Sequence, residues 1–222
     1  MIGRHELKFY INLSELVQLR MRLHVVAKTD AHGTADDGYT VRSLYFDNYS
    51  DKAVVEKLSG QSNREKFRIR YYNEDISFIR LEKKSKKGKF VNKESVRITA
   101  EQCEEVLAGD HNVLKLADIP LMMELYAKIR TQNLRPRCIV DYQRQAFTYP
   151  AGNVRITLDS RVKTSNSVTG FLNPASVMIP AANTIVMEVK FNSFLPDVIR
   201  DIIQVGHRNQ TEFSKYVVAR LV

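Results

Sequence analysis

The residues best placed to do chemistry in this chain are cations at alternate positions. Arg64, Lys66, Arg68 and Arg70 recur at every second residue, with Phe67, Ile69 and Tyr71 on the other parity. The pattern returns downstream: Arg80, Glu82 and Lys84 against Ile79 and Leu81, then Lys93, Ser95 and Arg97 against Val96 and Ile98. Arg155, Thr157 and Asp159 alternate with Val154, Ile156 and Leu158, and Glu188 and Lys190 alternate with Met187, Val189 and Phe191. Near the start, Arg4, Glu6 and Lys8 alternate with His5, Leu7 and Phe9. Period two is the signature of a strand, so each segment carries one charged face and one apolar face. A half-solvated sheet has such faces too. Its wet face, however, normally mixes Thr, Ser, Glu, Lys and Gln, whereas here Arg and Lys predominate. Like charges directly across neighbouring strands repel, so a sheet of this kind calls for an anion of several charges. Arginine forks match phosphate oxygens and lysines supply point charges. Glu6, Glu82 and Glu188 would repel phosphate unless protonated, paired with lysine or holding a divalent cation. A metal-bound oligophosphate meets both requirements.

Composition agrees with an anionic partner. The 222 residues carry a formal charge of +9, and 44% are hydrophobic, enough for a real core and against wholesale disorder. Cys103 and Cys138 have no metal-ligand spacing and form no disulfide framework. They read as buried thiols in a reducing compartment. No apolar run approaches the roughly 18 residues of a membrane span, and Met1 to Lys8 lacks the apolar core of a signal peptide. The expectation is a cytoplasmic domain without direct membrane insertion, or the soluble part of something larger.

The elements that must position these residues follow from local signals. A strand is expected over 3–11, and Asn12 with Glu15 forms a capping box that opens a helix through about Ala27. Thr29 to Gly38 reads as a loop, 39–47 as a strand, and Asp47 as the cap of a short helix ending near Leu58. A meander over 63–73, 76–86 and 89–98 turns at Asn73-Glu74-Asp75 and at Lys86-Lys87-Gly88. Thr99 with Gln102 opens a helix to about Leu107, and another helix covers 119–131. Strands at 135–149 and 153–163 join at Pro150-Ala151-Gly152-Asn153, 164–183 reads as loop, and 184–191 as a strand. Helices at 195–204 and 212–220 finish the chain. With no repeat and no linker, residues 1–222 read as a single α+β domain. To shelter the cations, the sheet is expected to close into an antiparallel β-barrel with a cationic lumen and helices packed outside.

These residues resemble a known family, the VTC-type polyphosphate polymerase domain of the triphosphate tunnel metalloenzyme (CYTH-like) superfamily. The resemblance runs from about residue 3 to 220. It is carried by Arg4-His5-Glu6-Leu7-Lys8-Phe9-Tyr10, Ser43-Leu44-Tyr45-Phe46-Asp47, Arg68-Ile69-Arg70-Tyr71 and Leu81-Glu82-Lys83-Lys84. It continues through Tyr142-Gln143-Arg144-Gln145-Ala146-Phe147, Val154-Arg155-Ile156-Thr157-Leu158-Asp159, Met187-Glu188-Val189-Lys190 and Phe213-Ser214-Lys215-Tyr216. The resemblance implies phosphate ligands at Lys8, Arg68, Arg70, Lys84, Arg97, Arg144, Arg155 and Lys215, with Lys190 and Ser214 beside them. Of these, Lys8, Arg68, Arg70 and Lys215 would grip the nucleotide's triphosphate. Glu188, with Glu6, would hold Mn2+ or Mg2+. Arg144 and Lys215 rest on the resemblance, since the parity of the strands does not single them out. Arg4 stands where the wider superfamily opens with glutamate in Glu-x-Glu-x-Lys, and Glu212 sits beside the Ser-Lys pair.

The implied activity is transfer of the terminal phosphoryl group of a nucleoside triphosphate such as ATP to a growing inorganic polyphosphate chain. Alternatives are a triphosphatase or short-chain polyphosphatase, and a non-catalytic polyphosphate-binding subunit. Nucleic acid is not the expected partner, although Tyr71, Tyr72 and Phe78 could stack bases, because Glu6, Glu82 and Glu188 interrupt the basic face. Any coupling to a membrane protein would come from another chain. His5 reads as a packed histidine on an apolar face, and His207 with Arg208 as part of a solvated loop.

Overall fold

The computed structural model describes residues 4–30, 38–88, 90–204 and 209–222. His207, Arg208 and most of the loop expected over 29–38 lie outside the described residues. In chain order the elements are β1 (His5–Ile11), α1 (Leu13–Val26), β2 (Lys28–Thr29), β3 (Tyr39–Asp47) and α2 (Lys52–Leu58). Next come β4 (Asn63–Tyr72), β5 (Asp75–Lys87), β6 (Phe90–Ile98), α3 (Ala100–Ala108), α4 (Asn112–Leu116) and α5 (Pro120–Gln132). The rest are β7 (Arg135–Tyr149), β8 (Val154–Ser165), β9 (Ile179–Ala182), β10 (Ile185–Phe191), α6 (Asp197–Ile203) and α7 (Lys215–Arg220).

Both capping boxes form: Asn12 Oδ1 accepts from Glu15 N at 2.9 Å, and Thr99 Oγ1 accepts from Gln102 N at 3.2 Å. The short helix expected after Asp47 begins later, at Lys52, yet the Asp47 carboxylate still accepts from Ala53 N at 3.0 Å. It also accepts from the Tyr216 hydroxyl at 2.7 Å. Short pieces β2, α4 and β9 were not expected from periodicity.

The chain forms two compact units. The first comprises Met1–Thr40, Tyr142–Val162 and Ala182–Ser214; the second comprises Val41–Asp141, Lys163–Ala181 and Lys215–Val222. In the first unit, Ile11, Phe147, Val154, Ile156, Leu158, Met187 and Val189 form an apolar layer covered by Leu19 and Leu23 of α1 and Ile199 and Ile203 of α6. In the second, Leu44, Phe46, Phe67, Ile69, Tyr71, Ile79, Leu81 and Ile98 pack under α3, α4 and α5 through Cys103, Val106, Leu114, Leu121, Met122, Leu125 and Ile129. The alternation expected from sequence therefore decides both cores: on each strand the apolar parity meets helices, and the other parity forms the charged face.

Closure into a barrel does not occur. Among the described residues the strands pair in the order β1-β10-β8-β7-β3-β4-β5-β6, with β2 on β7 and β9 on β8, and the two ends do not pair with each other. The expectation rested on hiding repelling cations. Instead Lys84, Lys93 and Arg97 are exposed, where water screens them. No helix among the described residues is long and apolar enough to cross a membrane.

Candidate functional site

Register decides what the charged faces can do. In the second unit β3 pairs β4, β4 pairs β5 and β5 pairs β6, all antiparallel. This lays the side chains of the charged face in rows: Ser43–Arg70–Arg80–Arg97, then Tyr45–Arg68–Glu82–Ser95, then Lys66–Lys84–Lys93. Two of the rows place cation directly opposite cation. The middle row carries the carboxylate that holds them. Glu82 is 3% exposed and accepts from Arg68 Nε at 2.7 Å and from Lys93 Nζ at 2.5 Å, with Arg70 Nη1 at 3.9 Å. Arg70 Nε donates to Ser43 Oγ at 2.9 Å. Arg80 Nε donates to Ser95 Oγ at 2.7 Å and Arg97 Nη2 to the Ser77 carbonyl at 2.8 Å, and both guanidiniums flank the Phe78 ring. A hollow of about 30 Å³ lies among Lys66, Arg68, Glu82, Lys83, Lys84 and Lys93.

These cations reset the acids beside them. Burial alone would raise the Glu82 carboxyl, but Arg68, Arg70 and Lys93 overcome it and bring it down to about 2. Burial would likewise raise the Tyr45 phenol, whose oxygen lies 3.3 Å from Arg68 Nη1; Arg68, Arg70 and Lys66 bring it down to about 8. Glu82 ionises more readily folded than unfolded. Its contribution to stability is therefore complete above its ordinary value of 4.5 and is lost as pH falls toward 2. That contribution is on the order of 3 kcal/mol. Urea unfolding between pH 2 and 6 should show Glu82→Gln losing less stability on acidification than wild type; parallel curves would refute the assignment.

The first unit has the opposite pattern. There β1 pairs β10 and β10 pairs β8, giving the rows Lys8–Glu188–Thr157 and Glu6–Lys190–Arg155. Carboxylate faces amine directly in both. Glu188 Oε1 lies 2.5 Å from Lys190 Nζ, Glu6 Oε1 2.8 Å from Lys8 Nζ, and Glu6 Oε2 3.7 Å from Lys190 Nζ. Lys8 also donates to the Phe213 carbonyl at 3.3 Å. Burial works against the Lys8 charge, but Glu188 and Glu6 outweigh it and raise its pKa. Burial and the neighbouring Glu6 would raise Glu188, yet Lys190 and Lys8 hold it below the usual carboxylate range.

The arginines of this unit are also engaged. Arg155 Nη2 lies 2.5 Å from Asp30 Oδ2 and donates to the Tyr39 hydroxyl at 3.1 Å. Arg144 makes a fork on Asp159, Nε to Oδ1 and Nη2 to Oδ2 both at 2.7 Å, and its guanidinium stands 5.2 Å from the Tyr142 ring centre. Asp159 is fully buried.

The expected site residues thus fall into two sets. Glu6, Lys8, Arg144, Arg155, Glu188 and Lys190 lie in the first unit, which Ser214 ends; Arg68, Arg70, Lys84 and Arg97 lie in the second, where Lys215 opens α7. Sequence reasoning missed Asp30 and Asp159 as the partners of Arg155 and Arg144, and Lys93 as a holder of Glu82. Asp159 had a usable signal: a carboxylate on the charged parity of a strand, two residues from Thr157, needs a cation when buried.

Divalent cations can be tested against the donors present. Among the described residues no three His, Cys, Asp or Glu side chains converge. Mg2+ and similar ions, however, commonly take one or two carboxylates and fill their remaining positions with water and phosphate oxygens. Glu188 and Glu6 supply those carboxylates, and Thr157 Oγ1, in the row with Glu188, is buried without a hydrogen-bond partner. An all-oxygen set suits a hard cation, so the residues fit one.

No curated protein matches the sequence. Among solved structures, one named "putative adenylate cyclase" from Bacillus halodurans aligns with TM-score 0.47 at 16% identity, over 91% of this chain and 88% of that one. The PH1012 protein of Pyrococcus horikoshii aligns with TM-score 0.46 at 14% identity, over 90% and 85%. A "putative adenylate cyclase" from Vibrio parahaemolyticus gives 0.44 at 10%, over 90% and 82%. The family model described as the VTC domain matches residues 3–222, nearly the whole chain and all the segments that carry the charged rows, and the chain belongs to that family.

Proposed function

We propose that this protein is a phosphotransferase that moves the terminal phosphoryl group of a nucleoside triphosphate, ATP in the first instance, onto the end of a growing polyphosphate chain. The observation that carries this reading is the register of the second unit, where cations face cations across β4, β5 and β6 in the rows on either side of Glu82. Such rows are stabilised by a polyanion, and membership of the VTC domain family makes a phosphate chain the natural one.

In this reading the attacking group is a terminal phosphate oxygen of the chain. It is already anionic, so no side chain need take a proton. A new O–P bond forms to the γ-phosphorus, its bond to the β-phosphate oxygen breaks, and the nucleoside diphosphate leaves. Arg68, Arg70, Lys84 and Arg97 offset charge on the transferring phosphoryl group and its neighbours, and Lys8, Lys190, Arg155, Ser214 and Lys215 hold phosphate oxygens. Arg144, fixed by Asp159, adds its field. Glu188 and Glu6 would hold Mn2+ or Mg2+, which neutralises phosphate charge when bound. Position and electrostatics supply the rate.

The pairing of both carboxylates with lysine in the first unit favours, as a second reading, a subunit that binds polyphosphate without turning it over. One experiment separates the readings: incubation with ATP and Mn2+, gel analysis of chain length, and a parallel free-phosphate assay. Long chains with ADP are expected. Free phosphate alone would replace the polymerase with a hydrolase, and tight polyphosphate binding without turnover would replace it with the binder.

A further inference from the structure

We infer that Thr157 is a ligand position of the divalent-cation site, its hydroxyl oxygen completing the set begun by Glu188. The inference rests on the cation reading above, but a different observation carries it. Thr157 is 5% exposed and its Oγ1 has no hydrogen-bond partner. A buried hydroxyl that bonds to nothing lowers stability, because it gives up water and receives nothing in return. Valine has the same shape and an equal liking for strands. Nothing in the packing of β8 therefore explains why a hydroxyl stands there.

Its surroundings explain it. Thr157 pairs with Glu188 across β8 and β10, and Glu188 pairs in turn with Lys8 of β1. Directly opposed side chains have Cβ atoms about 4.5–5.5 Å apart, so one small ion can touch both a carboxylate and a hydroxyl in such a pair. A hydroxyl has lone pairs for a cation and a proton for a phosphate oxygen at the same time. Lys190, at 2.5 Å from Glu188, occupies the carboxylate until a cation takes it. Its amine then becomes available to phosphate. Cation and phosphate thus enter by exchanging partners within one cross-strand row and the next: the Glu188–Lys190 ion pair opens, and no covalent bond in the protein is made or broken.

Titration of the full chain with Mn2+ alone, followed by the electron paramagnetic resonance signal of the free ion, tests this without any turnover. Thr157→Val should weaken Mn2+ binding about tenfold or more, the range found when a residue supporting a metal site is removed. Thr157→Ser, which keeps the oxygen, should stay within about threefold of wild type. Urea unfolding in the absence of metal should find Thr157→Val at least as stable as wild type, since it removes the orphaned hydroxyl. Unchanged Mn2+ affinity in Thr157→Val would overturn the inference. So would equal weakening in both variants accompanied by lower stability, the mark of a packing role. If wild type binds tripolyphosphate but no Mn2+, the cation reading falls and takes this position with it, while the phosphate reading stands.

Discussion

Glu188→Gln is expected to abolish phosphoryl transfer, by at least about 10²-fold, while leaving tripolyphosphate binding measurable. Glutamine keeps the shape and one oxygen but loses the negative charge that would attract a divalent ion. The second unit, with Arg68, Arg70, Lys84 and Arg97, is untouched by the substitution, so binding of an inorganic phosphate chain should persist. The first unit adds a subtler effect. With Glu188 neutral, Lys190 loses its nearer carboxylate and Lys8 one of the two beside it, Glu6 remaining, which strengthens rather than weakens their attraction for phosphate. The expected result is a separation: calorimetry with tripolyphosphate near or tighter than wild type, and no chains on the gel. Full activity in Glu188→Gln would end the cation assignment.

The largest effect on stability is expected at Asp159. This residue is fully buried and takes both ends of the Arg144 guanidinium. A fork of this kind is short and charge-assisted, and the desolvation of both ions is offset only while both are present. Asp159→Ala leaves a buried guanidinium without its counter-ion, for which losses of about 3–5 kcal/mol are usual. The pKa of Arg144 is held well above its ordinary value by Asp159 despite burial, so releasing the proton is no escape. Denaturant unfolding should show a large fall in midpoint. Replacing both residues by apolar ones of similar size should recover much of it, because the cost lies in the widowed charge. A loss below about 1 kcal/mol in Asp159→Ala would mean that Arg144 reaches water, as surface pairs do. The outcome bears on the proposed function, because Asp159 fixes the orientation of Arg144.

Much of this was legible from residue order. Alternation along 64–70 and 79–84 foretold which face each strand would bury, since a strand has no other way to place successive side chains. The capping boxes at Asn12 and Thr99 were equally local and equally sound. What alternation could not give is register. Glu82 and Glu188 look alike in sequence, each one residue of a charged strand face. Pairing sets Glu82 between Arg68 and Ser95, and Glu188 between Lys8 and Thr157. One became a hub for cations and the other half of a balanced pair. Whether the outermost strands meet is likewise a question about residues far apart in the chain, and the closed barrel expected from charge repulsion failed there. The partner of Arg155 is Asp30, more than a hundred residues away, and no short-range pattern joins them.

The Lys66–Lys84–Lys93 row has a consequence for the lifetime of the molecule. Repulsion built into a folded sheet is relieved by any polyanion that binds the fold but not the unfolded chain. By mass action, a ligand present at a hundred times its dissociation constant adds about 2.7 kcal/mol. On the proposed reading, the protein should then be longer-lived where phosphate polymers are plentiful and more quickly degraded where they are scarce, so that its abundance follows that ligand without any change in synthesis.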